Sequence, residues 1–341
     1  MIHRGHIYLS VIIFSAALSS CGKDVALFVP EKEIMHIPEG FPEMEFPEDN
    51  VFTIERWELG KALFYDPILS ASGKVSCGSC HKADIAFSDN VAFSSGDEGR
   101  IGRSNAPSLA NIGYHPYFTR AGGVPTLEMQ VQVPIQEHDE FNNNILFIAE
   151  AIKDDLNYKK YAQLAYSREP DPYVIIRAIA CFERSFISGN SSYDKFINGA
   201  NEHDFGISEI RGKELFFSSK TQCSSCHSGF NFTNYGFENN GLFSQYVDQG
   251  RARFTQNNAD IGKFKVPSLR DIELTSPYMH DGSLVSLEEV IEHYNSGGND
   301  HINKSELIRP LNLSSQEKTD LVAFLKTLTD LEFVNNKRFR R

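Results

Sequence analysis

Two pentapeptides carry the reactive chemistry of this sequence, Cys77-Gly78-Ser79-Cys80-His81 and Cys223-Ser224-Ser225-Cys226-His227. Each reads Cys-x-x-Cys-His, the attachment pattern of a c-type haem. Two thiols one helical turn apart reach the vinyl edge of one porphyrin and form thioethers. The histidine that follows lies under the iron as proximal ligand. A zinc knuckle or a redox dithiol also uses Cys-x-x-Cys. Zinc asks for four N/S ligands from paired motifs, and neither alternative explains a histidine following both times. Two covalently bound haem c groups are therefore expected.

The remaining cysteines and the composition narrow the setting. Of six cysteines, four hold haem. Cys21 belongs to the N-terminal segment, and Cys181 stands alone in an apolar helical run, better read as a small buried hydrophobe than as a nucleophile. No pair remains for a structural disulfide. A length of 341 residues allows two domains, and 41% hydrophobic with 23% charged residues is ordinary for a globular chain. The net charge of -12 argues against nucleic acid and leaves no basic patch for anionic lipid. It suits a basic electron carrier and is equally the charge of many soluble proteins.

The first 21 residues read as targeting rather than fold. A weakly basic start (His3, Arg4, His6) precedes the short apolar run Ile7 to Leu18, too short to span a membrane as a mature helix. The run ends Leu18-Ser19-Ser20-Cys21-Gly22, which resembles a bacterial lipobox and implies cleavage before Cys21 with a lipid on its sulfur. An ordinary cleaved signal peptide is the alternative. Either places the mature protein in an oxidising periplasmic or cell-envelope space, in contact with membrane only through Cys21. Residues 22–50 carry Pro30, Pro38, Pro42 and Pro47 among glutamates and read as a tether.

The elements that must position the two motifs read as helices joined by long loops. Helical spacing runs over 53–64, 145–165, 173–187, 207–217, 286–296 and 315–328, with Thr53 a plausible cap and Ser314 to Glu317 at capping-box spacing. Residues 65–140 read mainly as loops around the first motif. Gly189-Asn190-Ser191-Ser192 marks the boundary between halves. An internal repeat ties the halves together. Gly60-Lys61-Ala62-Leu63-Phe64 matches Gly212-Lys213-Glu214-Leu215-Phe216, and Asn105-Ala106-Pro107-Ser108-Leu109 matches Lys265-Val266-Pro267-Ser268-Leu269. In the same register Arg120 falls opposite His280, and Leu127-Glu128 opposite Leu287-Glu288. The expected fold is all-α: two cytochrome c-like domains, 51–190 and 191–341, with one haem each.

The register also sets the two distal sides apart. Pro134 falls opposite Tyr294. Proline offers iron nothing, whereas a phenol oxygen can ligate ferric haem. An iron with no sixth protein ligand can bind a small oxidant, while one closed on both faces mainly moves electrons. The first haem is thus expected to react and the second to relay. A core tyrosine is the other reading of Tyr294. His293 is a rival ligand that points about 100° away around the helix.

These residues resemble the bacterial dihaem cytochrome c peroxidase family and, within it, the MauG-like branch. The resemblance covers roughly residues 50–330. It rests on Leu59-Gly60-Lys61-Ala62-Leu63-Phe64-Tyr65-Asp66, both haem motifs, the Asn105 to Leu109 run, Pro277-Tyr278-Met279-His280-Asp281-Gly282, and His293-Tyr294. It implies a peroxidase that acts on hydrogen peroxide and draws electrons from a small cytochrome or copper protein. The peroxidases have Met where Tyr294 stands, and the MauG-like branch has Tyr. The peroxidases also cap the first haem with a loop histidine, and none lies between Lys82 and Tyr114 here. The resemblance therefore implies a first haem that is open without reductive activation.

Gln130, Pro134 and Glu140 stand at the intervals of the family's distal Gln, Pro and Glu. Glu140 is the implied acid–base group, with Gln130 orienting peroxide and with Glu137, His138 and Asp139 crowding the same stretch. A calcium ion between the haems is also implied, held by the Asn105 side chain and the carbonyls of Thr275 and Pro277. One departure is evident: Arg120 occupies the place of the family's inter-haem Trp, and the single Trp, Trp57, lies far upstream. An arginine cannot serve as an easily oxidised relay, and a contact with a haem propionate is one alternative role. His280 has no assigned role. Two rival functions remain open, MauG-like oxidation of residues on a partner protein and a non-catalytic electron-transfer cytochrome or redox sensor.

Overall fold

A glycine in each half decides how its helices meet. In the computed structural model, which describes residues 34–199 and 205–341, Thr53 caps the helix Ile54–Phe64 by accepting from the Arg56 amide. This helix crosses Pro172–Arg184 so closely that a Cβ built on Gly60 would lie 1.9 Å from the Ala178 carbonyl oxygen. In the second half Ile207–Phe216 crosses Ser315–Lys326, and a Cβ on Gly212 would lie 1.9 Å from the Asp320 carbonyl oxygen. Only a residue without a side chain lets the backbones approach so near. The phenylalanine that ends each Gly-Lys-x-Leu-Phe run, Phe64 or Phe216, is buried in the adjoining core. The repeated pentapeptide is thus a helix-crossing device used twice.

A second repeated device follows the Pro-Ser-Leu runs. Asn111 and Asp271 both adopt a left-handed backbone, with φ of 57° in each. The Asn111 amide donates to the Phe186 carbonyl at 2.7 Å, and its Oδ1 accepts from the Ser188 amide at 2.9 Å. Asp271 repeats this with the Leu328 carbonyl at 3.0 Å and the Asp330 amide at 2.8 Å. Each joint satisfies backbone groups just past a core helix.

The helices follow the expected pattern with two differences. The stretch 145–165 forms two helices, Ile145–Ile152 and Leu156–Tyr166, because the Asp155 carboxylate caps the second by accepting from the Asn157 and Tyr158 amides. Residues 127–136, read as loop, form the helix Leu127–Gln136, capped by Thr126 and carrying Pro134 in its last turns. Its counterpart Leu287–Ser296 is capped by Ser286. Phe237–Glu238 and Phe264–Lys265 pair antiparallel, the only strands among the described residues. The fold is all-α otherwise. Among those residues no helix is long and apolar enough to cross a membrane. Residues 1–21, Cys21 and the start of the tether lie outside them.

Two hydrophobic cores result. The first gathers Leu63, Phe64, Phe87, Ile179, Phe182 and Phe186. The second gathers Phe216, Phe232, Leu321, Phe324 and Leu328. Trp57 and Cys181 lie in the first half, both buried. The indole donates to the Ser185 hydroxyl at 2.8 Å, and burial pushes the Cys181 thiol up to about 12. The division at 190 does not anticipate one crossing. Phe333, Val334 and Phe339 enter the first core, and the Tyr65 hydroxyl donates to the Phe339 carbonyl.

The two joints differ in charge, and that difference is testable. Asp271 is fully buried, and burial pushes its carboxyl up to about 7, against the pull of the Asp330 amide. The folded state therefore holds this proton more tightly than the unfolded chain. Stability falls as pH rises from the ordinary aspartate range to about 7, and stays low above it. Asp271→Asn, which copies Asn111, should raise the melting temperature at pH 8 and raise it less at pH 5. Thermal denaturation followed by circular dichroism at both pH values checks this.

Candidate active site

Each haem motif folds into one tight turn that aims its histidine inward. Cys77–Cys80 is a single helical turn, with the Ser79 hydroxyl accepting from the Ser76 amide at 3.0 Å. The His81 amide donates to the Cys77 carbonyl, and the His227 amide to the Cys223 carbonyl, at 2.9 Å in both.

The imidazoles are held by backbone. His81 Nδ1 lies 2.7 Å from the Phe87 carbonyl oxygen, and His227 Nδ1 lies 3.1 Å from that of Phe232. Both phenylalanines are in the left-handed region, at φ of 59° and 50°, which turns the carbonyls toward the rings. Nδ1–H donates, so Nε2 keeps its lone pair. Burial lowers the pKa of each ring, opposed by the Phe87 and Pro107 carbonyls at His81 and by those of Phe232 and Pro267 at His227. A neutral imidazole with Nε2 free is the form that ligates iron. Burial also raises the pKa of all four thiols. Among the described residues no cluster of three or more His, Cys, Asp or Glu could hold a metal ion. The residues fit two covalent haems.

Gln130 and Glu140 are the residues expected on the distal side of the first motif. Gln130 rides the Leu127–Gln136 helix, and its Oε1 is buried with no hydrogen-bond partner, as an acceptor reserved for a bound group would be. The Glu140 backbone is pinned: its amide donates to the Glu137 carbonyl at 3.1 Å, and its carbonyl accepts from the Asp97 amide at 2.6 Å. Its carboxyl acts electrostatically on both Cys77 and Cys80. Burial, then Glu137 and Asp139, push it up to about 7. Two crowding neighbours are engaged elsewhere, His138 with Asn142 at 3.0 Å and Asp139 with Arg103 at 2.7 Å.

In the second half Tyr294, on Leu287–Ser296, is raised by burial, while the Asn240 side chain lowers it. Cys223 and Cys226 also raise the same phenol. His293 is turned away, its Nε2 lying 3.0 Å from the Asn240 carbonyl oxygen. Asn240 therefore sorts the two neighbours, a task no sequence pattern announced beyond its place in an Asn-Asn-Gly turn. Glu183 was also missed. Burial pushes its carboxyl up to about 8, and it acts on the Cys77 thiol.

Between the halves the arrangement does not fit the expected calcium ion. Arg120 Nε and Nη2 donate to the Asn105 carbonyl at 3.1 and 2.7 Å, and Nη2 also to the Asn105 Oδ1 at 2.9 Å. The side-chain oxygen proposed to ligate calcium already carries a guanidinium. An ion within the usual 2.3–2.6 Å of that oxygen would face a like charge across it. Of the other expected ligands, Thr275 and Pro277 flank Ser276, whose carbonyl accepts from Asn90 Nδ2 at 2.8 Å. His280 finds a place here: its ring stacks on Phe264 at 4.0 Å, and its carbonyl accepts from the Asn105 amide at 2.9 Å.

Comparison with known proteins bears on this geometry. Residues 54–202 match the family model described as di-haem cytochrome c peroxidase, and residues 210–329 match cytochrome c. The methylamine utilization protein MauG of Methylorubrum extorquens is 37% identical over 295 residues, covering 85% of this chain and 82% of that protein. A cytochrome-c peroxidase of Pseudomonas sp. strain SCT is 31% identical, covering 84% of each. A crystal structure of a MauG-like protein associated with microbial copper homeostasis superposes with a TM-score of 0.85 at 34% identity, covering 89% of this chain and 98% of that one. The diheme peroxidase BthA of Burkholderia thailandensis, at 22% identity and a TM-score of 0.73, shares the fold.

Replacing Cys77 and Cys80 together by Ala should lower the haem content from two to one covalent haem c per chain. A pyridine haemochrome assay on purified protein reads this directly.

Proposed function

The chain belongs to the di-haem cytochrome c peroxidase family, and on that premise we propose that it reduces hydrogen peroxide to water with electrons from a small cytochrome or copper protein. Cys77, Cys80 and His81 hold the haem that meets peroxide. Cys223, Cys226, His227 and Tyr294 hold the haem that relays electrons. When bound, haem supplies the redox-active iron at which the O–O bond is split. The chain's own part is to handle protons. Glu140 takes the proton from one peroxide oxygen and delivers it to the other, which leaves as water, while the Gln130 amide orients the molecule. Two electrons from the donor and two protons complete the reduction to two waters. The observation that carries this reading is a single asymmetry. A carboxyl raised to about 7 acts on the first thiol pair, and a half-buried tyrosine couples to the second.

The two cytochrome c-like domains, 51–190 and 191–341, divide this labour. Export to the periplasm or cell envelope with a lipid on Cys21 completes the proposal, supported by the Leu18-Ser19-Ser20-Cys21 run and by covalent haem attachment. The second reading, oxidation of residues on a partner protein, is favoured by Tyr294, the residue that the MauG-like branch carries at this place. Mixing the purified protein with peroxide and a reduced small cytochrome separates the two. Sustained donor oxidation supports the first reading. Peroxide consumption without donor turnover supports the second. No spectral response to peroxide would sink both and leave an electron-transfer cytochrome or sensor.

Two substitutions test the assigned residues. A carboxyl raised to about 7 is neutral below that pH and becomes the proton-accepting anion above it. The rate of reaction with peroxide should therefore rise with pH through about 7. Glu140→Gln should lower that rate at least about tenfold and flatten its pH profile, with haem content unchanged; stopped-flow absorption across pH measures both. Tyr294→Phe should convert the second haem to a high-spin form and leave the first unaltered, which electron paramagnetic resonance of the oxidised protein reports.

A further inference from the structure

We infer that the Arg120 guanidinium, by fixing Asn105 where its backbone meets the other half, takes the place of a calcium ion between the two haem-bearing halves, and that this chain holds no calcium there. The loop that carries Arg120 is closed by the Phe118 amide donating to the Val124 carbonyl at 2.7 Å. The loop of the other half is closed alike, by the Tyr278 amide donating to the Leu284 carbonyl at 2.6 Å. Equivalent loops thus bring Arg120 and His280 to the same junction from opposite sides.

The hydrogen bonds at this junction form a circuit across the halves. The Arg120 side chain grips both oxygens of Asn105. The Asn105 amide donates to the His280 carbonyl at 2.9 Å, and the Lys265 amide donates to the Arg120 carbonyl at 2.7 Å. Asn105 is itself 4% exposed, and its Nδ2 donates to the Val91 carbonyl at 2.9 Å, so its amide is fixed at both ends. A divalent ion would do the same job by gathering main-chain and amide oxygens around itself. The guanidinium does it with a planar fork of donors and a charge it keeps at any physiological pH.

The surrounding charges favour one internal cation over an added divalent ion. Asp281 and Asp248 lie near enough to Arg120 to act on it. Against them stand Lys265, whose ammonium lies 3.1 Å from His115 Nδ1 and 2.9 Å from the Tyr117 carbonyl, and Arg251, stacked 3.7 Å from the Phe237 ring centre. Three cations against two carboxylates already leave the junction net positive, and a calcium ion on Asn105 would add two more positive charges.

Elemental analysis of the purified holoprotein, prepared in buffer without chelator or added calcium, gives the primary test. The expected result is far less than one calcium per chain, with EGTA changing neither the melting temperature nor the haem absorption spectrum. About one calcium per chain, or a spectral or thermal shift on EGTA, would overturn the inference. The second arm is Arg120→Gln. With EGTA present it should melt several degrees below wild type, and Arg120→Lys should recover less than half of that loss because an ammonium lacks the fork. An Arg120→Gln protein that melts like wild type would equally overturn the assignment.

Discussion

A carbonyl turned inward by a left-handed phenylalanine is the constraint on which each half depends. Phe87 and Phe232 accept the Nδ1 proton of His81 and His227. That one bond sets the tautomer, the ring orientation and the free lone pair at once. The glycine crossings at Gly60 and Gly212 and the joints at Asn111 and Asp271 are the frame that keeps those carbonyls in place. The repeat is therefore conserved within the molecule where it holds a proximal ligand.

It diverges where chemistry differs. In one half a helix carries Pro134 in its last turn and hands the chain to Glu140, and in the other the equivalent helix carries Tyr294. A carboxyl that shares protons near neutrality suits bond breaking. A phenol held among thioether-forming cysteines suits a closed site that passes charge. The same scaffold can thus host two tasks because only a few distal positions need to change.

Much of this was legible in the sequence because the controlling features are local. The Cys-x-x-Cys-His runs, the Gly-Lys-x-Leu-Phe pair and the Thr53 and Ser314 caps each carry their own physical signature. The helix Leu127–Gln136 was not read from its own residues, since Val131, Val133 and Pro134 weaken helical propensity. The repeat register with Leu287–Ser296 held the missing signal. Residues far apart in sequence were not legible. No local pattern tells that Arg120 would close on Asn105, that Asn240 would turn His293 aside, or that Glu183 would face Cys77. Those contacts depend on how the loops meet, and the calcium expectation, which took the Asn105 side-chain oxygen as open, met one that Arg120 already holds for the same reason.

The crossing of Phe333 and Phe339 into the first core bears on assembly order. Tyr65 and Phe339 are 274 positions apart, yet their hydrogen bond seals the wall beside Phe87 and Phe186. The amino-terminal half cannot finish packing until chain made much later has emerged and folded back. Until then the wall beside the first Cys-x-x-Cys-His run stays open. The tail thus acts as a latch on that wall, holding shut a pocket that the first half alone leaves without Phe339.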